Sequence, residues 1–110
     1  MLRIFVDDER PAPKGWHRCD TIREALRMIS TQGVEELSLD FDPGYVRCGM
    51  IIPPAESFYS IVTALWMARP EFLPKRVWFH SSNYYLVNLA YDELKGLRIE
   101  LHKGMPPACE

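Results

Sequence analysis

The sequence has no Cys-x-x-Cys pair, and its three cysteines, Cys19, Cys48 and Cys109, make an odd count. That spacing argues against a zinc ribbon or a disulfide framework and suits reduced thiols in a cytoplasmic protein. No apolar run is long enough to cross a bilayer, and no basic stretch leads into a signal-type apolar segment. A soluble protein with no membrane partner is therefore expected. A basic surplus is also missing, since the formal net charge is −2. Binding along a nucleic-acid backbone needs a basic surface, so no extended nucleic-acid surface is expected. One nucleotide or one RNA end held in a pocket stays compatible with this charge. Repeats, linkers and low-complexity segments are absent as well.

What is present suffices for one compact domain. The 110 residues are 47% hydrophobic and 25% charged, so a core can form without staples. One domain is expected over residues 1–104, with a loosely held tail at residues 105–110.

The chain is organised around residues 2–10, LRIFVDDER. Leu2, Ile4, Phe5 and Val6 form a short apolar run, which reads as a buried strand. It ends in Asp7, Asp8 and Glu9, three acids that are costly to bury unless a cation sits nearby. Pro11 and Pro13 then forbid a helix. Residues 16–19 are either an edge strand or merely extended, because a parallel neighbour usually needs a longer crossover. Thr21-Ile-Arg-Glu24 is a capping-box pattern. Ile22, Ala25, Leu26 and Ile29 follow at helical spacing, up to a stop near Gly33.

Residues 34–40 read as a second buried strand ending in LSLD, followed by Phe41, Asp42 and a Pro43-Gly44 turn. Residues 45–55 read as a mobile loop, and residues 56–69 as a helix with Phe58, Ile61, Val62, Leu65 and Trp66 on its apolar face. RVWF at residues 76–79 is a third strand, ending in His80-Ser81-Ser82-Asn83. A helix over residues 84–94, turning Leu86, Val87, Ala90, Tyr91 and Leu94 inward, and a strand over residues 97–101 complete the chain. Strands alternating with helices predict an α/β fold: a three-layer, mostly parallel sheet of about five strands with helices on both faces.

In a parallel sheet the carboxyl ends of the strands share one edge, where ligands bind. Asp7, Asp8 and Arg10, then Asp40 and Asp42, then His80, Ser81 and Asn83, and finally Lys103 would meet there. Asp7, Asp8 and Asp40 are candidate ligands for Mg²⁺, which prefers oxygen donors and would relieve carboxylate repulsion. Alternatively, Arg10, Lys103 or solvent balances them without metal. His80 is a candidate general acid or base, or a histidine bonded structurally at a strand end. Arg10 suits a phosphate clamp, or a simple ion pair with Asp8 or Asp40. Asp42 joins His80 and Arg10 as a candidate catalytic group. Ser81, Asn83 and Lys103 are candidate substrate contacts, with helix capping the competing role of Ser82 and Asn83.

This layout resembles the receiver domains of two-component signalling. More closely, DDERPAP with Trp16, LSLDFDPG and FHSSN are similar to the cyclic-phosphate-processing receiver-like family, whose members show DDxRxP, D-H-D-x-G and HSxN segments. The matching residues are Asp7, Asp8, Arg10, Asp40, Asp42, His80, Ser81 and Asn83, within a resemblance that runs from Leu2 to about Lys103. The resemblance implies a receiver-like fold and handling of cyclic phosphates of nucleotides or RNA ends. Two departures stand out: Phe41 replaces a histidine, and Tyr84 and Tyr85 replace a proline and a glycine.

Three functional expectations follow. In the first, a metal-assisted phosphoesterase opens a cyclic phosphate. In the second, a non-catalytic receiver-like module binds a protein partner or signals through phosphorylation of Asp40, with Phe41, Tyr84, Tyr85 and the loop around Pro53 as interaction surface. In the third, the polar edge is solvated and inert.

Overall fold

β1 (Arg3–Val6) lies inside a five-stranded parallel sheet of order β2-β1-β3-β6-β7. This computed structural model describes residues 2–7, 9–40, 46–47, 50–51, 58–81 and 84–109. The other large-sheet strands are β2 (His17–Cys19), β3 (Glu36–Leu39), β6 (Arg76–Phe79) and β7 (Glu100–Lys103). β4 (Val46–Arg47) and β5 (Met50–Ile51) form a small antiparallel ribbon within the segment expected as a loop. The helices are α1 (Ile22–Thr31), α2 (Phe58–Met67) and α3 (Tyr84–Leu94), and a 3₁₀ turn spans Pro70–Phe72. No helix among the described residues is long and apolar enough to cross a membrane.

Local chemistry explains the element ends. Thr21 caps α1 by accepting from the Glu24 amide at 3.2 Å. Ile22, Ala25 and Ile29 on that helix are buried, as their spacing predicts. In α2, Ile61, Val62 and Leu65 are buried, but Trp66 is 51% exposed, contrary to the expected inward position. It lies at the margin of the apolar stripe, where its indole N–H donates to the Glu93 carbonyl at 3.0 Å. β7 starts later than expected, because Leu97 and Ile99 amides bond back to Leu94 and Leu97 and finish the turn after α3.

Register shows where the described helices lie on the sheet. Ile4, Leu37, Val77 and Leu101 occupy one row across the sheet, and Val6, Leu39 and Phe79 another. Residues of equal parity share a face. These rows form one core cluster with the buried residues of α1, α2 and α3. Among the described residues all three helices therefore pack on the same face of the sheet. The cause is topological. Parallel crossovers are right-handed. The β2-to-β3, β3-to-β6 and β6-to-β7 crossovers all step the same way across the sheet, so their helices fall on one side. Only the β1-to-β2 connection steps the other way, and Pro11 and Pro13 keep it from being helical.

The second face carries different chemistry. Arg3, Glu36, Arg76 and Glu100 form an alternating charged row across four strands. Arg3 Nε donates to Glu36 at 3.1 Å, Arg76 Nη1 to Glu36 at 2.8 Å, and Arg76 Nε to Glu100 at 3.1 Å. The next row holds Arg18, Phe5, Ser38, Trp78 and His102, with Trp78 and His102 stacked at 4.3 Å. Phe5 and Ser38 are fully buried, although no described helix covers them.

Two extended segments are tied together here. Cys109 N–H donates to the Lys14 carbonyl at 2.7 Å, and Trp16 Nε1 donates to the Pro107 carbonyl at 3.0 Å. Gly15 has φ +89°, and a Cβ there would collide with Cys109 Cβ and approach its Sγ to 2.6 Å. Gly15→Ala is therefore expected to detach the tail and to lower stability by about 1–3 kcal/mol. Urea unfolding reads the stability, and faster maleimide labelling of Cys109 reads the detachment. Cys19 offers a contrast, because burial pushes its thiol up to about 11 and leaves it unreactive.

Candidate functional site

The site begins one residue past the strand ends. Asp7, Asp40 and His80 follow Val6, Leu39 and Phe79, which share a row. Each is still pinned by the ladder: the Asp7 amide to the Cys19 carbonyl, the Asp40 amide to Val6, and the His80 amide to Leu39. The three residues thus extend the sheet by one more row, on the same parity as Phe5, Ser38 and Trp78. All three are buried, and each offers a ligand atom within 4.8 Å of the other two.

The residues around Asp7 hold it fixed. Its Oδ1 accepts from the amides of Glu9 at 2.8 Å and Arg10 at 3.0 Å, which folds the chain sharply after β1. Arg18 Nε donates to its carbonyl at 2.9 Å. Its Oδ2 lies 3.2 Å from His80 Nε2.

His80 leans across β3 toward β1. Its ring stacks on Phe5 at 4.3 Å with the planes 6° apart, and its Nδ1 lies 2.6 Å from Ser38 Oγ. Facing a carboxylate, Nε2 carries the proton, and the Ser38 hydroxyl donates to Nδ1. Burial lowers the pKa to about 4, Asp7 opposes that shift, and Arg10 adds to it. At neutral pH the ring is uncharged and both nitrogens are engaged. In this arrangement Nδ1 is partnered by Ser38 and Nε2 by Asp7.

The same geometry accommodates a metal. Two carboxylates and an imidazole make a mixed O/N donor set that suits Mn²⁺ or Zn²⁺ as well as Mg²⁺. Nε2 becomes a ligand atom when the proton moves to Nδ1, and the Ser38 hydroxyl can then accept instead of donate. Ser38 was not singled out in the sequence. Its signal was a lone hydroxyl within the buried run Leu37-Ser38-Leu39, a position that demands a partner.

A pocket of about 280 Å³ adjoins the row and is lined by Arg10, His80, Ser81, Tyr84, Lys103 and Met105, among others. Arg10 is anchored there through Nη1, which donates to the His80 carbonyl at 3.1 Å and lies 3.9 Å from Asp7 Oδ2. Ser81 is buried at the pocket wall. Lys103 also lines the pocket, but its ammonium group turns to Asn88 Oδ1 at 2.9 Å and over the Tyr91 ring at 5.0 Å. Asp8, Asp42 and Asn83, candidates from the sequence, lie outside the described residues, as do Phe41, Ser82 and Cys48.

Comparison with curated proteins and with solved structures gives no match. A family model does match, that of the cyclic-phosphate processing receiver domain, over residues 2–95. The matched segment contains Asp7, Arg10, Asp40 and His80 and stops short of β7 and Lys103. With that span and with a five-stranded parallel sheet of receiver-like order, the chain belongs to the cyclic-phosphate processing receiver domains.

Proposed function

We propose that the protein hydrolyses a cyclic phosphate on a nucleotide or an RNA end, with help from a divalent cation, Mg²⁺ or Mn²⁺. One observation carries this reading: the buried Asp7–Asp40–His80 row lies beside a pocket bearing Arg10, Ser81 and Lys103. In the reaction the oxygen of a water bonds to phosphorus and one ring P–O bond breaks. The departing oxygen takes a proton, and a phosphomonoester remains.

Asp7, Asp40 and His80 would hold the cation. When bound, such an ion supplies positive charge for the phosphoryl oxygens and lowers the pKa of water. Arg10 is half-exposed, so N–H groups beyond the one on the His80 carbonyl can clamp the phosphate and stabilise charge developing on it. Lys103 adds a second cation at the pocket wall. The His80 ring is held flat for its role toward the cation by Phe5 and Ser38. Cytoplasmic placement suits a nucleotide or RNA substrate.

Incubation with 2′,3′-cyclic AMP and Mg²⁺ or Mn²⁺, followed by phosphorus NMR, tests the proposal. A phosphomonoester product is expected, and Arg10→Ala is expected to reduce kcat/KM by about 10²-fold. No product with either cation overturns it. Labelling of Asp40 by acetyl phosphate in that event would favour a receiver-like signalling module that acts on a protein partner.

A further inference from the structure

We infer that Tyr84 is a stacking platform for the nucleobase of the substrate. This rests on the phosphoesterase reading and adds the part of the substrate that the pocket does not enclose.

Four large apolar side chains are strongly exposed among the described residues: Trp66, Met67, Tyr84 and Met105. Leaving such surface in water forgoes burial that would stabilise the fold. Trp66 and Met67 are neighbours on α2. Tyr84, 74% exposed, and Met105, 50% exposed, come from distant parts of the chain. Tyr84 opens α3, and Met105 follows β7 after the turn at Gly104, where φ is +112°. Both nevertheless line the pocket that Arg10, His80 and Ser81 share. A pocket that holds Arg10 and Ser81 and has an aromatic ring and a thioether on its exposed border suits a ligand that is anionic at one end and flat and apolar at the other.

Size points the same way. At about 280 Å³ the pocket is at the lower limit of the range for small-molecule sites, about 300–1,000 Å³. A base carried by a phosphate seated at Arg10 can lie against the exposed ring. Every base has a π-face, so stacking of this kind tolerates different sequences.

Titration calorimetry with adenosine 3′-monophosphate and glycerol 3-phosphate, one product-like ligand with a base and one without, tests the platform independently of turnover. The wild type is expected to bind the base-bearing ligand about 5- to 100-fold more tightly. Tyr84→Ala should remove that margin and leave glycerol 3-phosphate binding unchanged, and Tyr84→Phe should restore it. Equal affinity for the two ligands, equal weakening of both by Tyr84→Ala, or binding of neither overturns the inference. Tight binding of the nucleotide without opening of any cyclic phosphate would instead overturn the phosphoesterase reading alone.

Discussion

Phe5→Ala is expected to lower the stability of the protein by about 3–5 kcal/mol, the range for deleting a fully buried aromatic ring. Against a total of about 5–15 kcal/mol this is a large fraction. Phe5 lies on the face without described helices, yet none of its surface reaches solvent. Its ring stacks on His80, so the substitution also removes the surface that keeps the imidazole in the plane reaching Ser38 and Asp7. Phe5→Leu fills most of the volume but lacks a flat ring. It should cost less stability than Phe5→Ala and still release His80. Urea unfolding gives the stabilities, and the imidazole proton signals in NMR report the ring. A cost below about 1 kcal/mol for Phe5→Ala would mean that the face is open to water and not closed by neighbouring segments.

The metal-free protein should lose about 3 kcal/mol of stability between pH 6.5 and pH 4 through His80 alone. Its pKa is lowered to about 4 in the fold, chiefly by burial and partly by Arg10, against the opposing pull of Asp7. Above pH 6.5 the imidazole is neutral in both folded and unfolded chains, so it contributes no pH dependence. As the pH falls through 6.5 the unfolded chain takes up the proton and the folded chain does not, which favours unfolding. The loss levels off below pH 4, once the folded chain is protonated as well. Unfolding free energies measured across this window in EDTA should slope accordingly, and His80→Asn should flatten the slope. An unchanged slope in the variant would place the acid sensitivity on other groups.

Much of the architecture is readable from local pattern. The apolar runs at β1, β3 and β6, the Thr21 cap of α1, and the buried stripe of Ile61, Val62 and Leu65 depend on residues only a few positions apart. Period, capping and proline chemistry act at that range. The strand-end placement of Asp7, Asp40 and His80 is likewise visible, because a strand's polar terminus is a local signal. The role of His80 is not. Its partners Ser38 and Asp7 lie 42 and 73 positions away, and they meet it only because three strands pair in one particular register.

The layer structure escapes a linear reading for a related reason. Which face a helix takes follows from the direction its crossover steps, and that direction depends on strand order. Prolines at 11 and 13 exclude a helix between β1 and β2, but they do not reveal that this connection is the one that would have covered the second face. Alternation of short apolar runs, caps and acidic strand ends was therefore determined by the sequence itself. The common face of the described helices, the neutral wedged imidazole and the exposed rim at Tyr84 were decided by tertiary structure, because each depends on distances between segments that no local pattern encodes.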